Sequence, residues 1–84
     1  MTMDKNQRSL LETVVAKIDL PEHDIVAGDL GAVVETYESP DLAYEVEFVN
    51  PDGSTRALLT LQSDQVRAMT SSDVLTTRQI TLIA

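Results

Sequence analysis

The chain predicts an all-β fold, a small five-stranded barrel, and three observations lead there. Tyr44 to Val49 alternates apolar and acidic residues with period two. Asn50-Pro51-Asp52-Gly53 follows at once as a hairpin turn, with Pro pre-setting φ and Gly free to form a bulge. Gly- and Pro-rich punctuation on either side then divides the chain into strand, long loop, three-strand meander, one helical turn and short strand.

The first strand is placed at about Thr13 to Ile18, rich in β-branched residues, and stops at Asp19-Leu20-Pro21-Glu22, where Pro21 biases Leu20 away from helix. Residues 19–31 form a long connection closed by Gly28-Asp29-Leu30-Gly31, whose glycines permit positive φ. Ala32 to Tyr37 is the second strand. Tyr44 to Val49 is the third, with Tyr44, Val46 and Phe48 on the core face and Glu45 and Glu47 on the other. Thr55 to Leu61 returns as the fourth, with Ala57, Leu59 and Leu61 sharing a face. Ser63-Asp64-Gln65 suits a single tight turn, and Val66 to Met69 a short fifth strand. This order is that of an SH3-like barrel, an architecture that suits a short chain because it leaves few free edges.

The ends fall outside that frame, and three segments result: an N-terminal arm or short helix over 1–12, the barrel over 13–69 and an extension over 70–84. Leu10, Leu11, Val14, Val15 and Ile18 fit a helical stripe, with Asp4 and Gln7 placed as a capping box, so a short helix or arm is expected over 4–11. Ser71-Ser72-Asp73 breaks the chain. Ile80, Leu82 and Ala84 then alternate with their neighbours, which predicts an additional strand packed on the barrel or on a second copy, a route to homo-oligomers.

Charge restricts the partners. The net charge is −8 over 84 residues. Ten acids (Asp19, Glu22, Asp24, Asp29, Glu35, Glu38, Asp41, Glu45, Glu47 and Asp52) lie between Lys17 and Arg56 without one Lys or Arg. Nucleic-acid binding needs cations to displace phosphate counterions, and this half supplies none. Anionic membranes are disfavoured for the same reason. A basic partner protein fits the balance better. With no cysteine, disulfide and thiol chemistry are excluded. No apolar stretch reaches signal-peptide or membrane-span length, so a cytoplasmic location is expected.

The motifs that hint at chemistry are each outweighed. Glu22-His23-Asp24 flanks the sole imidazole with carboxylates, but one His without a second ligand cluster reads as a polar loop tip. Gly28-Asp29-Leu30-Gly31 lacks the spacing and lysine of a phosphate loop and leads into a strand. A methyl-lysine cage needs converging aromatics, and of Tyr37, Tyr44 and Phe48 two point inward. Asn50-Pro51-Asp52-Gly53 has one carboxylate, too few for calcium. Glu45 and Glu47, about 7 Å apart on one strand face, form an acidic stripe with no cleft for acid–base work. Arg56 is expected opposite them across the hairpin. No catalytic residue, metal or cofactor is expected.

Several blocks together carry a family resemblance: Asp19-Leu20-Pro21-Glu22-His23, Ala27-Gly28-Asp29-Leu30-Gly31-Ala32-Val33-Val34-Glu35, Tyr44-Glu45-Val46-Glu47-Phe48-Val49, Asp52-Gly53, and Ala57-Leu58-Leu59-Thr60-Leu61 with Asp64-Gln65-Val66-Arg67. Over about residues 13–69 the chain resembles the bacterial family catalogued as domain of unknown function 4926. The resemblance implies a small β-barrel without assigned activity. It also implies, from members lying beside other small uncharacterised genes, an antitoxin or immunity role. It carries over no catalytic residues.

The expectation is therefore a non-enzymatic protein-binding module, an antitoxin- or immunity-type inhibitor meeting a basic partner through Glu35, Glu38, Glu45 and Glu47. The alternatives are a KOW-like nucleic-acid-associated module, which would show a salt-dependent shift with RNA, and an accessory subunit of an enzyme, which would show a pocket of acids around His23.

Overall fold

The computed structural model describes residues 10–80. Five strands, β1 (Thr13–Ala16), β2 (Leu30–Tyr37), β3 (Ala43–Val49), β4 (Thr55–Gln62) and β5 (Val66–Ala68), form one antiparallel sheet in the order β4-β3-β2-β1-β5. This is the all-β, SH3-like arrangement. The sheet rolls over a single core but is not closed: β4 and β5 are its two edges, joined by the one-turn 3₁₀ segment Ser63–Gln65. That turn is fastened by the Gln65 side chain, whose Oε1 accepts the Gln62 N–H at 2.7 Å.

Alternation decides what lies inside. Val14, Ala16, Val33, Tyr44, Val46, Phe48, Ala57, Leu61 and Val66 form the core, with Leu59 packed against it. Tyr44, Val46 and Phe48 are wholly buried, as the period-two pattern requires. The long 17–29 connection also contributes. It carries a 3₁₀ turn at Pro21–His23, and a Leu20–Ile25 bridge folds Ile25 fully into the core. Asp19 ties the loop together by accepting the Ala27 N–H at 2.8 Å.

The two glycines at the loop's end do different work. Gly28 has φ +100° and open space around it, as a turn glycine should. Gly31 does not have positive φ, contrary to expectation. A Cβ there would meet Val46 Cγ1 at 2.5 Å, Phe48 Cε1 at 3.0 Å and the Glu47 carbonyl at 3.1 Å. Its glycine is required by close packing of β2 on the core.

β1 ends at Ala16, two residues short of the expected Ile18. The expected N-terminal helix lies almost wholly outside the described residues; Leu10 and Leu11 are exposed and form a turn. The extension carries no strand between 70 and 80, and residues 81–84 lie outside the described part. Its physical anchor is side-chain charge rather than a backbone ladder: Asp73 accepts from Arg67 at 2.6 and 2.9 Å and from the Thr70 N–H at 2.6 Å. No helix among the described residues is long and apolar enough to cross a membrane.

Candidate functional site

The glutamates expected on the outer face are brought together by a bulge. Val33 pairs with Val46, but the next pair is Glu35 with Glu45, so Val34 is the extra residue. Without it, the register of β2 would send Glu35 to the opposite side of the sheet. With it, Glu35 and Glu45 sit directly across from each other on the outer face, their Cβ atoms about 5 Å apart by antiparallel geometry. Glu47 is two residues along β3 on the same face. Glu38 lies in the exposed loop beyond β2, at that end of the sheet.

Threonines hold two of these carboxylates. Thr60 Oγ1 donates to Glu45 and Thr55 Oγ1 donates to Glu47, both from β4. Among the described residues Glu35 accepts the N–H of its neighbour Thr36, at 3.0 Å. Among the described residues no ion pair involves Glu35, Glu45 or Glu47.

Arg56 does not serve them, against expectation. It occupies the bulged position of β4, where the pairing shifts from Phe48–Ala57 to Val49–Thr55. Its guanidinium turns to the carbonyls of Val49, at 3.2 Å, and Asp24, at 3.4 Å. The three described arginines are thus each bonded to oxygens of the chain itself: Arg56 to these carbonyls, Arg67 to Asp73, and Arg78 to Asp29 and Asp24. Among the described residues, then, no arginine pairs with Glu35, Glu45 or Glu47.

Like charges directly opposed across strands cost stability. Glu35→Lys places a cation opposite Glu45 and is expected to raise the unfolding free energy by about 0.2–1 kcal/mol, read as a higher urea midpoint at unchanged slope. A lower midpoint would show that the opposed pair is not a liability.

A second cluster was not legible in the sequence. Arg78 clamps the β1–β2 loop: its Nε donates to Asp29 Oδ1 at 3.0 Å, and its Nη2 to Asp29 Oδ2 at 2.6 Å and the Asp24 carbonyl at 2.8 Å. Burial pushes the Asp29 carboxyl up, but hydrogen bonds from Arg78 and the Val26 N–H outweigh it and hold the group below its ordinary value. Asp73 is held well below the usual carboxylate range by Arg67 first, then by the Thr70 N–H. Both folded values are depressed, so the stability these pairs contribute is fully present above the unfolded value near 3.8 and is lost as pH falls through the folded values. Amide shifts of 70–80 should therefore stay constant from neutral pH to about 5 and begin to move only below about 4. Movement near neutrality would contradict the clamp.

The remaining motifs stay apart from any such chemistry. His23 is exposed, with Glu22 and Asp24, on the 3₁₀ turn, and among the described residues no group of three or more His, Cys, Asp or Glu side chains is placed to hold a metal. Tyr37 is partly exposed while Tyr44 and Phe48 are in the core, so the aromatics do not converge on the surface.

A family model described as Domain of unknown function (DUF4926) matches residues 10–68, well over half of the chain. The chain belongs to that family. The match takes in all five strands of the DUF4926 barrel and both clusters' barrel-side carboxylates, Glu35, Glu45 and Glu47 as well as Asp24 and Asp29; Arg78 lies beyond it. No curated protein and no solved structure matches the chain.

Proposed function

We propose that this DUF4926 protein is a non-enzymatic protein-binding module whose outer β2–β3–β4 face receives a basic partner, acting as an antitoxin- or immunity-type inhibitor in the cytoplasm. The observation that carries the reading is the opposition of Glu35 and Glu45, with Glu47 beside them and, among the described residues, no cation paired with any of the three. A fold that places like charges against each other sacrifices some stability, and local rules are most often broken where a surface has another use. An incoming Lys or Arg would relieve that repulsion, so the face gains on binding twice: from the new pair and from the neutralised old one. Thr55 and Thr60 fix the two carboxylates of β3 in advance, lowering the ordering cost of association.

A complementary charged face chiefly sets association rate and specificity, and its effect is screened by salt. The test is charge reversal at Glu35, Glu38, Glu45 and Glu47 against the bound partner. Association should slow by about tenfold or more and lose its salt dependence. Unchanged kinetics would defeat the reading.

A further inference from the structure

The barrel has a second outer patch of different character. Val15 is the cross-strand partner of both Leu30 and Arg67, so the three side chains share a face, the one opposite Val14 and Ala16 in the core. Val15 points away from the core yet is only 4 % exposed. It lines a cleft of about 420 Å³ whose other wall is the chain's own Asp73–Thr77. A second cleft, of about 360 Å³, lies between Thr76–Ile80 and the β3–β4 hairpin at Val49–Pro51. The two share Asp29, Leu30, Thr76 and Thr77. Residues 74–80 therefore lie in a groove between the β1–β2 loop and the hairpin.

What holds them there is narrow. Among the described residues no strand pairing and no backbone hydrogen bond joins 74–80 to the barrel. Val74 and Leu75 are 84 % and 68 % exposed, so the segment's leading apolar side chains are not what seats it. The polar attachment is the Arg78 guanidinium, forked onto both oxygens of Asp29 and onto the Asp24 carbonyl, with the half-buried Ile80 beside the hairpin as an apolar one. The receiving group is built into the barrel: Asp29 Oδ2 also accepts the Val26 N–H at 3.1 Å, which orients the carboxylate independently of Arg78.

We propose that this groove is a docking site for an extended, arginine-bearing segment of a partner protein, occupied in cis by residues 74–80. Asp29 accepts from two guanidinium nitrogens, one on each carboxylate oxygen, and the Asp24 carbonyl from one of them, a fork that an ammonium cannot match. Asp73, pinned by Arg67 and Thr70, stops any release at residue 73, so the segment can leave without disturbing β5. The cis segment acts as a competitor at millimolar effective concentration, which screens out weak ligands. This surface is separate from the glutamate face and stands or falls without it.

The probe is a labelled synthetic peptide of residues 74–80, with an Arg-to-Ala version of that peptide as control. It should bind the full-length Arg78→Ala protein about tenfold or more tightly than the wild type, because the cis competitor is weakened. Binding should vanish with the control peptide and in the Arg78→Ala, Asp29→Asn double variant. On the wild-type chain, saturating peptide should move the amide resonances of Asp29, Leu30 and the chain's own Val74 to Arg78; this measurement decides the matter if Arg78→Ala does not fold. Equal affinity for wild type and variant, or binding that survives loss of Asp29, would overturn the proposal. So would a dimer with exchanged tails, which would make a second copy the occupant.

Discussion

Phe48→Ala is expected to lose about 3–5 kcal/mol of stability, the largest loss from any single side chain considered. Phe48 is wholly buried near the end of β3, packed in the core with Val46 and its cross-strand partner Ala57. Deleting a buried phenyl ring costs about 3–5 kcal/mol, the lost transfer energy plus that of the cavity left behind. A domain of this size holds roughly 0.05–0.15 kcal/mol per residue, on the order of 4–13 kcal/mol in all, so one side chain accounts for a large share. Urea unfolding followed by far-ultraviolet circular dichroism would show the midpoint collapse. A loss below about 1 kcal/mol would mean that the ring does not fill the core.

Gly31→Ala should cost about 1–3 kcal/mol, because the new methyl enters space already held by Val46, Phe48 and a backbone carbonyl. For a chain of this length that lowers the thermal midpoint by roughly 4–24 °C. Gly28→Ala is the informative comparison. Nothing lies within 4 Å of the added carbon there, and only the positive φ opposes it. Its smaller loss would come from backbone strain, so the two variants separate crowding from conformation. Equal losses would place Gly31 in the same turn class as Gly28 and remove the packing argument.

These two positions also show what a sequence can and cannot disclose. The strands were legible because their information is local: Tyr44, Val46 and Phe48 alternate with Glu45 and Glu47, and period two suffices to say which side is buried. The hairpin at Asn50–Gly53 is equally local. Gly31 looked like turn chemistry because a glycine demanded by a neighbour two strands' worth of sequence away leaves no mark beside itself. Ile25 was hidden in the same way: amid the loop's acids it reads as connection, and only the Leu20–Ile25 bridge turns it inward.

The candidate site was half legible. That Glu45 and Glu47 share an outer face follows from alternation. That Glu35 opposes Glu45 depends on the bulge at Val34, and a single inserted residue moves every later side chain to the other face without altering composition. Arg56 was expected opposite the glutamates because it follows the turn, but the second bulge, between Phe48 and Val49, re-aims it toward Asp24. The Arg78–Asp29 clamp joins residues 49 apart in sequence, beyond the reach of any pattern.

The two surfaces make opposed demands on stability. Weakening the Arg78 clamp removes favourable contacts, whereas relieving the Glu35–Glu45 opposition adds one. A variant such as Glu35→Lys should therefore be firmer and bind its partner less well, a combination that a merely structural glutamate would not produce.

The most direct measurement is amide hydrogen exchange of the protein with and without its bound partner. The account predicts that protection gained on binding concentrates on the outer β2–β3–β4 face, at Glu35, Glu45, Glu47 and Thr60, and is lost when those glutamates are reversed. Protection that avoids that face, or that survives the reversal, would contradict it.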